Sequence, residues 1–148
     1  MAGGSRRLFF LFIIFFFADR AAKWYAMSLP ASGPAFSLGQ INIGYYLNPS
    51  LFFFPAWRWI PWAALVILIL LTTYYLLLTT SARNVLLPIM LGGASNVFDR
   101  FTYGGVIDYV EIFGLATINI ADILILLGLL AIIIKNKKLP PIINRSTN

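Results

Sequence analysis

Residues 62–78 read WAALVILILLTTYYLLL, a run of apolar residues, threonines and tyrosines without a single charge. A helix needs about 20 residues, at roughly 1.5 Å each, to cross the hydrocarbon core of a bilayer, and this run with its flanks is near that length. Bulky aliphatic residues on every side of such a helix leave no polar face for water, so the segment predicts a membrane-spanning helix.

Three more apolar stretches lie outward from it: Leu8–Ala26 before, and Asn84–Phe98 and Asn119–Ile134 after. The stretch at 84–98 is the shortest and contains Pro88 and Gly92-Gly93. Such breakers are tolerated in membranes because neighbouring helices satisfy the freed backbone groups. Residues 1–18 imitate a signal peptide, with Arg6-Arg7 before an apolar run, but no A-x-A site follows and the run continues into Asp19, Arg20 and Lys23. The segment is therefore expected to be a retained first helix. Composition agrees with a lipid environment: 148 residues that are 60% hydrophobic and 11% charged could not cover themselves with polar surface. The expected fold is an all-α membrane protein of one domain, residues 1–148, with four transmembrane helices and a small extracytoplasmic β-sheet.

The sheet is expected within residues 36–54 and 105–118. Ile41, Ile43, Tyr45 and Leu47 alternate with Asn42, Gly44, Tyr46 and Asn48, and Val106-Ile107-Asp108-Tyr109-Val110-Glu111-Ile112 is β-branched and aromatic. Pro55, Trp57, Trp59 and Trp62 suit an interfacial belt.

Charge orients the helices. Arg6, Arg7, Arg83 (in the turn between the second and third helices), Lys135, Lys137, Lys138 and Arg145 fall on one side, which is read as cytoplasmic, with both termini inside. The opposite side holds Arg20, Lys23, Arg58 and Arg100 together with every acid in the chain: Asp19, Asp99, Asp108, Glu111 and Asp122. The net charge of +6 is thus a topological signal, and without a basic stripe interleaved with a polar face it does not indicate nucleic acid. Histidine and cysteine are absent, which removes disulfides, thiol nucleophiles, imidazole bases and the usual zinc shells.

The chemistry must come from what remains. Asp19 and Lys23, four apart on the first helix, share a face and predict an ion pair roughly 10 Å below the outer helix end. Asn96 and Asp99, three apart, face the same way, although interfacial polarity alone would account for Asp99-Arg100. Asp108 is unusual within a strand, and alternation puts it on the face of Val106, Val110 and Ile112. Asn119 suits an N-cap and Asp122 the first turn that follows. A strand returning through a short hairpin would bring Asp108 to Asp122. Two close carboxylates share a proton, so that one activates water while the other protonates the oxyanion and leaving amine, with no cofactor or metal. Asn48, Asn96 and Asn119 are the neutral amides able to orient such a pair.

The motifs Asp19-x-x-x-Lys23, Tyr45-Tyr46-Leu47-Asn48-Pro49, Gly92-Gly93-Ala94-Ser95-Asn96-Val97-Phe98-Asp99-Arg100, Gly105-Val106-Ile107-Asp108-Tyr109 and Ile118-Asn119-Ile120-Ala121-Asp122 resemble, in order, the five signature regions of the lipoprotein signal peptidases, or signal peptidase II. The resemblance implies an aspartic endopeptidase of the bacterial plasma membrane that cleaves diacylglyceryl-modified prolipoproteins before the lipidated cysteine, with an outer β-cradle. It implies Asp108 and Asp122 as the catalytic pair, Asn48, Asn96, Asp99, Arg100 and Asn119 as residues that shape the site and hold substrate, and Asp19 and Lys23 as its brace. It also implies contact with membrane lipids and sensitivity to globomycin-like cyclic peptides. The chain departs from the family's Asn-x-Gly-Ala-Ala-Phe with Asn48-Pro49-Ser50-Leu51-Phe52-Phe53. A small cation transporter would instead need ionisable groups near the midplane and paired broken helices. A non-catalytic lipoprotein-binding scaffold would keep the fold without the cleavage.

Overall fold

The computed structural model describes residues 2–31, 34–50, 58–77 and 80–137, and the described residues form four helices and one sheet. The helices are α1 (Ala2–Ala26), α2 (Ile60–Leu77), α3 (Thr80–Tyr103) and α4 (Ile120–Lys137). Leu51–Trp57 of the altered motif and aromatic belt, Leu78 at the end of the apolar run, and the basic Lys138 and Arg145 lie outside the described residues. Among those described, α2 is the one helix long and apolar enough to cross a membrane by length and composition.

The third helix is longer than the apolar stretch predicts. It runs through Pro88 and does not stop at the polar Asp99-Arg100, because Asp99 is buried and paired and so does not need to leave the bundle for water. Gly104 ends it instead, at φ +79°, a left-handed conformation that suits the residue after a helix C-terminus. Arg83 accordingly falls within α3 and not in the preceding turn.

Between the helices stands an antiparallel sheet of β1 (Phe36–Leu38), β2 (Ile41–Asn48), β3 (Val106–Ile112) and β4 (Ala116–Ile118), in the order β1-β2-β3-β4. Ile43 pairs with Val110 but Tyr46 pairs with Asp108, so β2 spends one residue more than β3 across this interval. That bulge resets the register and brings Asn48 opposite Val106, one diagonal from Asp108. Simple alternation fails at the start of β3: Val106, Ile107 and Asp108 are all buried, at 4%, 0% and 1% exposure. Both faces are covered there, since β3 packs against α1 and α3.

The buried apolar side chains are few and sit mostly where α3 meets α4, among them Leu86, Ile89, Val97, Ala121 and Leu124. The outward faces of α1, α2 and α4 carry exposed Phe, Leu and Ile. Gly92 makes the α3–α4 approach possible, because a Cβ there would collide with the backbone oxygen of Ala121. A Cβ on Gly93 would meet only Leu68, at an ordinary 3.6 Å.

Gly92→Ala is therefore expected to lower stability by about 1 to 3 kcal/mol through overpacking, whereas Gly93→Ala leaves it unchanged or slightly raised. Thermal melts of the two purified variants beside the parent protein check this.

Candidate functional site

Where the C-terminal ends of α1 and α3 meet the start of α4, a knot of charge is closed off from solvent. Asp19 and Lys23 are one helical turn apart on α1, and both are 0% exposed. Lys23 Nζ lies 3.1 Å from Asp19 Oδ2 and 2.8 Å from Asp99 Oδ2, and it donates to Asn96 Oδ1 at 2.7 Å. The ammonium thus spends its donors on two carboxylates and an amide. Arg20, the next cation, pairs with Asp99 Oδ1 at 2.5 Å and lies 4.6 Å from the centroid of the Phe98 ring. Ser95 Oγ donates to Asp19 Oδ2 at 2.6 Å, and the Ile107 amide donates to Asp99 Oδ2 at 3.2 Å. Two acids balance two bases here, and no net charge is left in the knot.

Asp19 has a second function that spacing could not reveal. Its Oδ1 accepts the Ala121 amide at 3.1 Å and the Tyr109 hydroxyl at 3.2 Å, so a carboxylate from α1 sits on the N-terminus of α4. Carboxylates belong there, because the first amides of a helix lack intrahelical partners and carry the positive end of its dipole. Burial first, and the Asp19 charge after it, hold the Tyr109 phenol above its ordinary pKa, against the opposing Ile120 amide that it accepts. The phenol therefore remains protonated and able to donate.

Asn119 joins the two remaining aspartates. Its Oδ1 accepts the Asp122 amide at 2.9 Å, and its own amide donates to Asp122 Oδ2 at 3.2 Å, a reciprocal cap of the capping-box kind. The rest of the same side chain turns to the sheet, where Nδ2 donates to Asp108 Oδ1 at 2.6 Å. Asp108 also receives Thr117 Oγ1 at 2.7 Å and Asn48 Nδ2 at 3.2 Å, both on Oδ2. Asp122 Oδ1 accepts Asn96 Nδ2 at 2.7 Å. Capping at Asp122 and the link to Asp108 run through the same residue, Asn119, so a cap does not compete with a site role for Asp122.

Arg100 closes the group. NH1 donates to the Asn96 carbonyl at 3.3 Å and NH2 to the Ser50 carbonyl at 3.4 Å, while its buried Nε has no protein partner. Arg100 also lines a cavity of about 390 Å³, together with Pro49, Arg58, Ile60, Pro61 and Trp62 among others. Ser50, which departs from the signature pattern, adopts no left-handed backbone and instead donates its amide to Asn48 Oδ1 at 3.1 Å in an Asx turn. The remaining acid, Glu111, lies apart and accepts Asn42 across the sheet at 2.7 Å. Among the described residues no cluster of three or more acids is disposed to hold a metal ion.

All nine residues singled out from sequence, Asp19, Lys23, Asn48, Asn96, Asp99, Arg100, Asp108, Asn119 and Asp122, join this one network. Asp99, far from being interfacial, is 0% exposed and lies nearer to Lys23 than Asp19 does. Arg20, Ser95, Tyr109 and Thr117 belong to the network as well. Arg20 had a local signal in its place one residue from Asp19. Thr117 is the sheet neighbour of Glu111 and had none.

A sequence profile of the signal peptidase (SPase) II family, Peptidase_A8, matches residues 11–137. Two solved structures share the fold, both described as bacterial membrane enzymes determined by the in meso method, at 1.9 and 2.3 Å resolution. The first superposes with a TM-score of 0.74 at 20% identity, over 92% of this chain and 94% of that one. The second gives 0.75 at 18% identity, over 99% and 94%. No curated protein sequence matches the chain.

Removing the ammonium strands Asp19 as a buried anion and leaves Asp99 with Arg20 alone. Lys23→Met is expected to cost about 3 to 5 kcal/mol, and Arg20→Met less, since the Arg20 side chain is 22% exposed and Lys23 would still hold Asp99. Melting temperatures of the two variants, compared at one detergent concentration, test the order.

Proposed function

The chain belongs to the signal peptidase II family, proteases that process lipoprotein signal peptides, and from that membership we propose that it is an aspartic endopeptidase whose catalytic pair is Asp108 and Asp122. The observation that carries this reading is Asn119, a single buried residue that donates to both carboxylates, to Asp108 through its side-chain Nδ2 and to Asp122 through its backbone N–H.

Chemistry follows from what surrounds each carboxylate. Asp108 receives three side-chain donors, spread over both of its oxygens, and this favours the negative charge of the pair residing there. Asp122 then carries the shared proton. Water held between them gives a proton to Asp108 as its oxygen attacks the scissile carbonyl, and Asp122 protonates the developing oxyanion. Collapse of the tetrahedral intermediate breaks the C–N bond: the proton taken by Asp108 passes to the departing amine, and one hydroxyl of the intermediate returns its proton to Asp122 as the carbonyl re-forms. Every donor to the pair is neutral, so nothing in direct contact cancels the charge that makes the two aspartates share a proton. Arg100, which lines the adjoining cavity and whose Nε has no protein partner, is suited to hold a substrate carbonyl. Asn48 would position substrate from the sheet side.

The substrate in this reading is a diacylglyceryl-modified prolipoprotein, cut on the N-terminal side of the lipidated cysteine. The protein would act as one domain in the bacterial plasma membrane, with four spanning helices, both termini cytoplasmic and the site outside. Exposed apolar side chains along α1, α2 and α4 support lipid surroundings, because surface of that kind is poorly tolerated in water. The 18 residues of α2 and of α4 each give about 27 Å of helix, close to a hydrocarbon thickness of about 30 Å. Globomycin-like cyclic peptides are expected to inhibit.

Asp108→Asn and Asp122→Asn should each reduce cleavage of a lipidated precursor by at least about 10³-fold, while insertion and the thermal melt stay near those of the parent. Normal processing by both variants would eliminate the pair, and a loss of insertion in step with activity would make these residues structural.

A further inference from the structure

The start of α4 is held by residues outside the catalytic pair, and one of them is placed where only a hydroxyl will serve. The first turn of any helix exposes amides without intrahelical partners. Here Ile120 N donates to the Tyr109 hydroxyl at 2.8 Å, and Ala121 N to Asp19 Oδ1 at 3.1 Å. The Tyr109 oxygen accepts one bond and donates another, to the same Asp19 Oδ1 at 3.2 Å. It thereby ties β3, α1 and the α4 entrance into one ring of bonds. Within that turn sits Asp122, while Asp108 is the immediate chain neighbour of Tyr109. The separation of the two carboxylates therefore depends on how β3 is fastened to the head of α4. Asn119 fastens it on one side, through its bond to Asp108.

We infer that Tyr109 is a positioning residue for the cleavage reaction: its hydroxyl, bridging Ile120 N and Asp19, fastens the other side and sets the distance across which the catalytic pair works. The inference rests on the assignment of Asp108 and Asp122 as that pair. Tyr109 touches neither carboxylate's side chain in the network described, so it acts through the α4 backbone. Loss of the oxygen leaves the Ile120 amide without an acceptor and Asp19 Oδ1 with one donor fewer, and the helix start can then relax. Displacements of about 1 Å at a reacting centre cost on the order of 100-fold in rate.

The test is Tyr109→Phe, which keeps the ring, assayed on a synthetic lipopeptide substrate, with active sites counted by titration with a tight-binding cyclic peptide inhibitor. Turnover per titrated site is expected to fall about 10- to 100-fold with KM within about twofold, because no substrate contact is removed. A merely structural tyrosine would lower the melting temperature and the number of titratable sites but leave turnover per site unchanged, and that result overturns the inference. So does a rise in KM at constant turnover. If Tyr109→Phe does not fold, replacement of Tyr109 by 4-aminophenylalanine keeps a donor to Asp19 but accepts poorly from Ile120. The same turnover-selective loss is expected, and parental turnover per site there overturns the inference as well. Asp122→Asn assayed in parallel separates the two levels: its retained activity would remove the catalytic pair itself, whereas an inactive Asp122→Asn beside a fully active Tyr109→Phe removes only the role of Tyr109.

Discussion

The ammonium of Lys23 is sealed from bulk solvent, and three helices are arranged around that fact. Burying an unpaired cation costs several kcal/mol, a cost offset only by acceptors delivered at the right distance. Asp19 comes from the same helix, Asp99 and Asn96 come from α3, and Asp19 in turn accepts from the head of α4. None of these helices can slide by a turn without stripping a buried charge of its partner. Such a knot need not add much net stability. What it provides is register, and the relative register of α1, α3 and α4 decides where Asn96, Asn119 and Asp122 stand.

The five acids are divided by their partners. Asp19 and Asp99 are neutralised by Lys23 and Arg20, and Glu111 is held by Asn42 at the sheet. Asp108 and Asp122 receive only amides and a hydroxyl from side chains. A carboxylate beside a cation settles as an anion, whereas two carboxylates among neutral donors must settle their charge between themselves. The same bundle therefore contains a closed electrostatic brace and an open acid pair, joined through Asn96, whose Oδ1 serves Lys23 and whose Nδ2 serves Asp122.

The local regularities were the legible part of this fold. Uncharged apolar runs marked the helices, period-two alternation marked β2, and the four-residue spacing of Asp19 and Lys23 marked their pairing. Helix ends were harder to read, because Asp99-Arg100 resembles an exit until burial is known, and Gly104 is the residue that ends α3. Alternation put Asp108 on the face of Val106, and both are buried, but it did not tell that Ile107 on the other face is buried too, because at the start of β3 neither face is wet. Asn119 could be read as a cap, but its bond to Asp108 depends on a hairpin and a bulge whose geometry no spacing encodes. Tyr109 and Thr117 fall in the same class, since their partners lie across tertiary contacts.

In the proposed mechanism Asp108 and Asp122 face one reacting carbon from two sides. A crystal structure with a substrate peptide whose scissile amide is replaced by a hydroxyethylene group would address it directly, since the tetrahedral hydroxyl stands where attacking water and oxyanion meet. That hydroxyl is expected within hydrogen-bond distance of a carboxylate oxygen from each aspartate, with Asn119 still joined to both. A hydroxyl bound away from either carboxylate, in a complex that otherwise fills the site, would contradict it.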